Sequence, residues 1–302
     1  MKQTTLGDFK VSMLGLGTSR LASLGAHGSI RSAARLLDTA ADLGVSFIDT
    51  ADTYGSTKCE RWLGKLLQTR SDRFVLSTKC GLPAVDLPRP LRGLNQPAKK
   101  FVQRFGQQHC LAPAYVNQAI EASLKRLRRE RIEIYFIHEP PAGVETREEL
   151  FATLEQAMRA GKIGSYGICS SNPSIIRASL AENRCRIVQT AADPLVTGTL
   201  IEAIRCGAPG RNIEIVANNV LARYIGDAAT AMADTSFEAT LLARKIEARC
   251  AERGVSRTHL LLRHAAALAN VRVVLTGTGS TAHLSENAAA LDEPLTAEDV
   301  LT

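Results

Sequence analysis

A chain of 302 residues, 45% hydrophobic and 22% charged, has the make-up of an ordinary globular protein, and a formal charge of +7 with only 5% aromatics does not describe a nucleic-acid surface. Its seven cysteines are scattered, odd in number and form no CxxC pair, which points to reduced thiols in a cytoplasmic protein and excludes a metal centre from expectation. No basic stretch leading into an apolar run opens the chain, so neither a signal peptide nor a membrane span is expected.

In chain order, residues 4–11, TTLGDFKV, read as a short N-terminal hairpin that turns at Gly7-Asp8 and closes the floor of the fold. Short β-branched or aromatic runs follow at 12–18, 47–51, 74–79, 133–138, 165–170, 186–191, 213–218 and 271–277. Between them lie stretches such as 32–43, 115–127, 148–160 and 237–253, where apolar residues recur at three- and four-residue intervals. Gly44, Gly161 and Gly254 follow such stretches, where helix C-caps belong. Strand–helix alternation implies right-handed βαβ units. Eight of them predict a closed (β/α)8 TIM barrel in the α/β class, with 1–302 as a single domain. A Rossmann sheet would need a GxGxxG motif after the first strand, and GLGTSRLASLG lacks that spacing. Two segments break the rhythm. Residues 81–113 form a long, Pro-rich and basic rim loop after the third strand, of the length that functional loops have. Residues 207–211, GAPGR, read as a plain connection.

The C-terminal ends of barrel strands share one rim, where active sites are built. Asp49 ends the second strand in FIDTADTYG (47–55), and Tyr54 follows in its loop. Lys79 ends the third strand in LSTKCG, and His138 the fourth in YFIHEP. Each alone has a bland reading: a capping aspartate, a solvated lysine, a structural histidine. Together they bring four ionisable groups from three consecutive strands to one edge. A tyrosine with a pKa near 10 holds its proton at neutral pH. An ammonium within about 4–6 Å stabilises the phenolate and is expected to lower that pKa. An aspartate paired to the lysine would keep it charged and oriented, and a histidine could position a carbonyl oxygen. The set describes a tuned general acid for a developing alkoxide. No side chain donates hydride, so a cofactor is implied. Its expected seat is LTGTGSTAHLSENAAAL (275–291), a strand end, a Gly-rich turn and a helix opened by Ser280 or Thr281.

These segments resemble the aldo-keto reductase family. FIDTADTYG, LSTK and YFIHEP are similar to its strand-two, strand-three and strand-four signatures, and AYVNQAIEASLKRLRRERIEIYFIHEP (114–140) is similar to its helix-three block. GSYGICSSN, IVQTAADPL and GTGSTAHLSEN follow in the family's order, so the resemblance runs from about Leu14 to Leu291. It implies a barrel, monomeric or a weak homo-oligomer, that binds NADP(H) and reduces an aldehyde or ketone or oxidises the alcohol or sugar lactol. Its partners would be a small carbonyl or sugar substrate, with no nucleic acid and no membrane. It makes Tyr54 the general acid, Lys79 its partner, Asp49 the partner of Lys79, and His138 the substrate-orienting donor. The resemblance also implies a cofactor set: Gly17 and Thr18 at the first strand end, Gln189 for the nicotinamide carboxamide, and Glu286 and Asn287 for the adenine end, with Gly279 in the Gly-rich turn. Ser170 stands where an asparagine is frequent, and Asn218 where an aromatic ring commonly stacks on nicotinamide. Gly277 and His283 replace frequent lysine and arginine near the 2′-phosphate, with Thr278 keeping a hydroxyl, which leaves NAD(H) open beside NADP(H).

The basic run KRLRRER (125–131) reads as cations that complement the end of helix three and stay solvated. RPLRGLNQPAKKFVQR (89–104), in the rim loop, suggests through Arg89, Arg92, Lys99 and Lys100 recruitment of an anionic substrate or a cofactor phosphate. Two rival functions stand beside reduction: a nucleotide-binding regulatory or sensor protein with little turnover, and a barrel lyase or isomerase using Lys79 as an amine nucleophile. The second leaves Tyr54 unexplained, and a sensor has no use for a proton donor.

Overall fold

The computed structural model describes residues 1–21, 28–70, 73–82, 109–221 and 237–301. Eight parallel strands pair in chain order: β3 (Leu14–Gly17), β4 (Phe47–Asp49), β5 (Val75–Cys80), β6 (Ile132–His138), β7 (Ile163–Cys169), β8 (Ile187–Ala191), β9 (Glu214–Asn218) and β10 (Val271–Thr276). β10 pairs back onto β3, with Leu275 opposite Gly15, so the sheet has no edge. These are the eight runs of the sequence reading, displaced by at most two residues at either end. Helices pack outside: α1 (Ile30–Asp42), α2 (Lys58–Leu66), α3 (Pro113–Leu127), α4 (Glu148–Arg159), α5 (Pro173–Ala181), α6 (Pro194–Gly207), α7 (Phe237–Arg253), α8 (Arg257–Ala267) and α9 (Thr281–Asp292).

Period-two alternation divides each strand between two cores. Inward positions such as Phe47, Ile134, Phe136, Val216, Val273 and Leu275 form the barrel filling, while Ile48, Leu76, Ile137 and Val188 face the helices. Gly15 points inward, and a Cβ there would stand 2.9 Å from the Phe47 ring and 2.7 Å from Leu275. The missing side chain is the room that Phe47 fills. The N-terminal run is divided. β1 (Gln3–Leu6) and β2 (Phe9–Ser12) form the expected hairpin through Gly7 at φ 58, and Met13 separates it from β3. Leu6 and Val11 are fully buried against the barrel filling, and the Gly7 amide donates to Glu214 at the start of β9. The hairpin thus plugs the N-terminal end of the barrel, and the opposite mouth is left for the site. Gly44 and Gly161, both at φ 73, turn the chain out of α1 and α4 as C-cap glycines do.

The rim loop departs at Gly81 and returns at Cys110, whose amide donates to the Gly81 carbonyl at 3.0 Å. The basic cluster 89–104 lies outside the described residues. The run 125–131 is less solvated than its sequence suggests. Arg126 pairs with fully buried Glu60 at 2.5 Å, and Arg131 lies 5.1 Å over the Phe9 ring. Glu60 also accepts from the Thr78 hydroxyl at 2.7 Å, so a buried carboxylate fastens α2 to both β5 and α3. A cation at a helix end finds this partner only because the neighbouring helix delivers it.

α2 and α3 approach tightly at Gly64, where a Cβ would stand 2.1 Å from the Arg126 carbonyl oxygen and 2.8 Å from the Leu127 carbonyl carbon. Backbone cannot yield as a side-chain tip can. Gly64→Ala is therefore expected to destabilise the fold by about 1–3 kcal/mol despite its better helix propensity. Thermal unfolding checks this, and a melting temperature equal to wild type would refute the tight contact.

Candidate active site

The same alternation that fills the barrel aims polar residues into its mouth. Asp49 lies two positions beyond Phe47, Lys79 two beyond Ser77, and His138 two beyond Phe136, so all three point inward at strand ends. Register places His138 opposite Cys169 and Cys169 opposite Gln189, a row across β6, β7 and β8.

Lys79 is fully buried, and its Nζ donates to both Asp49 carboxylate oxygens at 2.6 Å and to the Thr50 carbonyl at 2.9 Å. The Ser77 hydroxyl donates to Asp49 Oδ1 at 2.7 Å. Burial is the largest single influence and works against the ammonium, but the surrounding groups, Asp49 foremost, together hold Lys79 above the usual lysine range. Thr18 holds the pair from the next strand, donating both its amide and its hydroxyl to the Asp49 carbonyl.

Tyr54 comes back over this pair because its loop is sharply folded. Gly55, Ser56 and Thr57 are three consecutive residues in left-handed backbone (φ 58, 51 and 68), and the Thr57 amide donates to the Asp52 carbonyl at 2.9 Å. Non-glycine residues there cost on the order of 1–3 kcal/mol each, the kind of strain that clusters at functional sites. The result sets the Lys79 ammonium 5.1 Å from the Tyr54 ring centroid and the His138 ring edge-on at 6.2 Å and 83°. Burial pushes the Tyr54 phenol up to about 12; Lys79 pulls it down through charge and a hydrogen bond, while Asp49 pushes it up. The expectation that the lysine would bring the phenol below its usual value is corrected. Asp49 neutralises much of the ammonium's field, and dehydration of the phenolate dominates. The phenol therefore holds its proton at neutral pH.

Around the mouth, Gln189 and Asn218 each present a buried amide oxygen (Oε1 and Oδ1) with no hydrogen-bond partner among the described residues. Such atoms call for an N–H donor. A primary carboxamide such as that of nicotinamide would supply it, so the acceptor set fits the implied cofactor. Ser170 is buried, with its hydroxyl accepting from the Asn172 amide at 3.1 Å and lying 3.4 Å from Glu139. Across β3, Gly277 is exposed, and a Cβ there would lie 3.8 Å from the Gly17 carbonyl. Gly279 has open space around it, and Thr278 accepts from the Ser280 amide at 3.0 Å. Ser280 caps α9, accepting from the His283 amide. His283 and Glu286 are exposed on its first turns, and Asn287 is buried. Thus Asp49, Tyr54, Lys79 and His138 converge, Gln189 and Asn218 face the same mouth, and Gly17 borders the turn at 277–279. Thr18 stands apart, since its polar groups are engaged on Asp49.

Two neighbours escaped the sequence reading. The Cys169 thiol is buried in the same row, and burial pushes it up to about 12, so it remains a neutral lining group. Inward parity beside His138 was the signal that could have found it. Glu139, at φ 43 with its amide donating to the Cys169 carbonyl at 2.8 Å, is half-buried at the rim, and burial raises its carboxyl. Nothing in the local sequence announces that turn.

No helix among the described residues is long and apolar enough to cross a membrane. Residues 13–302 match a family model described as the Aldo/keto reductase family. An aldo-keto reductase of Schizosaccharomyces pombe (strain 972) whose name specifies NADP(+) is 27% identical over 191 residues, covering 63% of this chain and 51% of its own length. The chain thus spans about half the length of such curated relatives. Among solved structures, the holo form of an aldo-keto reductase from Bacillus halodurans superposes with a TM-score of 0.78 at 23% identity, over 99% of this chain and 94% of that one. One from Klebsiella pneumoniae in complex with NADPH gives 0.71 at 22%, over 99% and 93%. At those identities the structures speak for the fold.

Proposed function

The chain belongs to the aldo/keto reductase family, and from that premise we propose that it is an NAD(P)H-dependent oxidoreductase reducing an aldehyde or ketone, or oxidising the corresponding alcohol or sugar lactol. The observation that carries this reading is the Tyr54 ring above a buried Lys79–Asp49 pair, with His138 edge-on to it. When bound, the dihydronicotinamide supplies the hydride that no side chain can. Everything else falls to the chain. Tyr54 gives its proton to the carbonyl oxygen as negative charge develops there. Lys79 stabilises the phenolate left behind, Asp49 keeps Lys79 charged and aimed, and His138 orients the carbonyl oxygen by a hydrogen bond. In the alcohol-oxidising direction Tyr54 takes the proton back.

Gln189 and Asn218 would hold the carboxamide, with Ser170 beside them. Gly17 and the turn Gly277, Thr278 and Gly279 would border the pyrophosphate, and His283, Glu286 and Asn287 the adenine end. NADP(H) is favoured by the NADP(+) in the name of the yeast relative and the NADPH held by the Klebsiella structure. An exposed glycine and an exposed imidazole at 277 and 283 provide no permanent cation for a 2′-phosphate, so NADH is expected to serve as well. The substrate is a small carbonyl compound or sugar.

Titrating the protein with NADPH and with NADH while following nicotinamide fluorescence tests the premise, and a panel of aldehydes, ketones and sugars then tests turnover. No response to either nucleotide would remove the cofactor assignment. Gln189→Ala is expected to weaken nicotinamide binding about tenfold, the worth of one well-placed hydrogen bond, with the melting temperature nearly unchanged. An unchanged dissociation constant would take Gln189 out of the cofactor set.

A further inference from the structure

Away from the barrel mouth, α2 and α3 turn cationic faces toward one another. Lys58, Arg61, Trp62 and Lys65 recur at three- and four-residue spacing along one stripe of α2. Lys125, Arg126 and Arg128, at the end of α3, complete a groove of about 530 Å³. Its floor is rigid. Arg126 is held by Glu60 and donates to the Ser123 hydroxyl at 3.1 Å, and Arg128 donates to Gln68 at 2.5 Å. Lys58, Lys65 and Lys125 are exposed and, among the described residues, have no carboxylate within ion-pair distance. Lys58 instead lies 4.5 Å over the Trp62 ring.

Like charges on neighbouring turns repel, and a surface that only needs solubility intersperses both signs. Here the carboxylate behind the groove, Glu60, is already matched by Arg126. Three ammonium groups with no carboxylate partner among the described residues and three guanidinium groups around a half-buried indole describe a seat for a compact, multiply charged anion. The volume lies within the about 300–1,000 Å³ of small-molecule sites, and ammonium point charges suit phosphate oxygens.

We propose that the α2–α3 groove is a second ligand site, separate from the barrel mouth, that takes a small molecule carrying an oligophosphate. The chain's one tryptophan lies inside it, so its emission reports occupancy directly. Tripolyphosphate added to the full chain without nicotinamide cofactor is expected to change Trp62 emission to saturation, with one site per chain by calorimetry. Orthophosphate should bind at least about tenfold more weakly, and added salt should loosen the complex. Changing Lys58→Gln, Lys65→Gln and Lys125→Gln together should weaken binding at least about 100-fold, as expected when several charge-assisted hydrogen bonds are removed at once. Melting temperature and carbonyl reduction should stay as in wild type, since none of the three touches the core or the mouth. Comparing ATP with tripolyphosphate separates a nucleoside ligand from the bare oligophosphate, and tight binding of either supports the site. A response that never saturates, an equal affinity in the triple variant, or complete displacement by saturating NADPH would overturn it.

Discussion

Tyr54→Phe is expected to lower kcat for carbonyl reduction by about 10²–10⁴-fold while leaving the dissociation constant for the nicotinamide cofactor unchanged. The substitution removes one oxygen atom. The ring remains to pack over Lys79 and against His138, and Lys79 keeps both Asp49 oxygens and the Thr50 carbonyl. The fold and the proposed nucleotide seat on β8 to β10 therefore have no reason to change. What is lost is the proton that burial holds on the phenol, with its value pushed up to about 12. Steady-state kinetics on the best substrate of the panel, with cofactor fluorescence titration of the same variant, make the check. A variant that keeps more than about a tenth of the rate would mean that the proton comes from another group.

The second large effect concerns stability as well as rate. Lys79→Met deletes the ammonium and leaves the Asp49 carboxylate buried with only the Ser77 hydroxyl donating to it among its side-chain partners. An uncompensated buried charge costs about 3–5 kcal/mol, so the melting temperature should fall by several degrees and activity should collapse with it. Adding Asp49→Asn removes the stranded charge. The double variant should recover much of the stability and none of the activity, because the phenolate still lacks its cation. A single variant as stable as wild type, or a double variant that melts below the single one, would refute the pair as the core of the site. Since the folded-state value of Lys79 lies above the ordinary lysine value of about 10.4, the stabilisation linked to the Lys79 charge is not lost at neutral pH and fades only as the pH rises above that value. Unfolding measurements at neutral pH therefore see all of it.

Much of the architecture was legible because it is written in periods. Runs of β-branched residues alternating with helical patterns predicted eight strands, and all eight are present; a parallel sheet of eight such units has closure as its stable solution. The rim positions of Asp49, Lys79 and His138 followed from strand ends, and their inward aim follows from alternation. The hairpin was visible in Gly7-Asp8 between two short extended runs. Where a group's neighbours come from distant sequence, legibility stopped. The solvated reading of Arg126 failed because Glu60, its partner, arrives from another helix.

The order of residues by itself determined the barrel, the rim where the candidate residues gather and the family to which the chain belongs, since local periodicity and short motifs survive without knowledge of contacts. Only the tertiary structure decided three further matters. It folded the loop at 55–57 so that Tyr54 returns over Lys79, it set the phenol's proton affinity upward rather than downward, and it brought two helices' cations into one groove. Each depends on distances between atoms far apart along the chain, and both dehydration and Coulomb energies are functions of those distances.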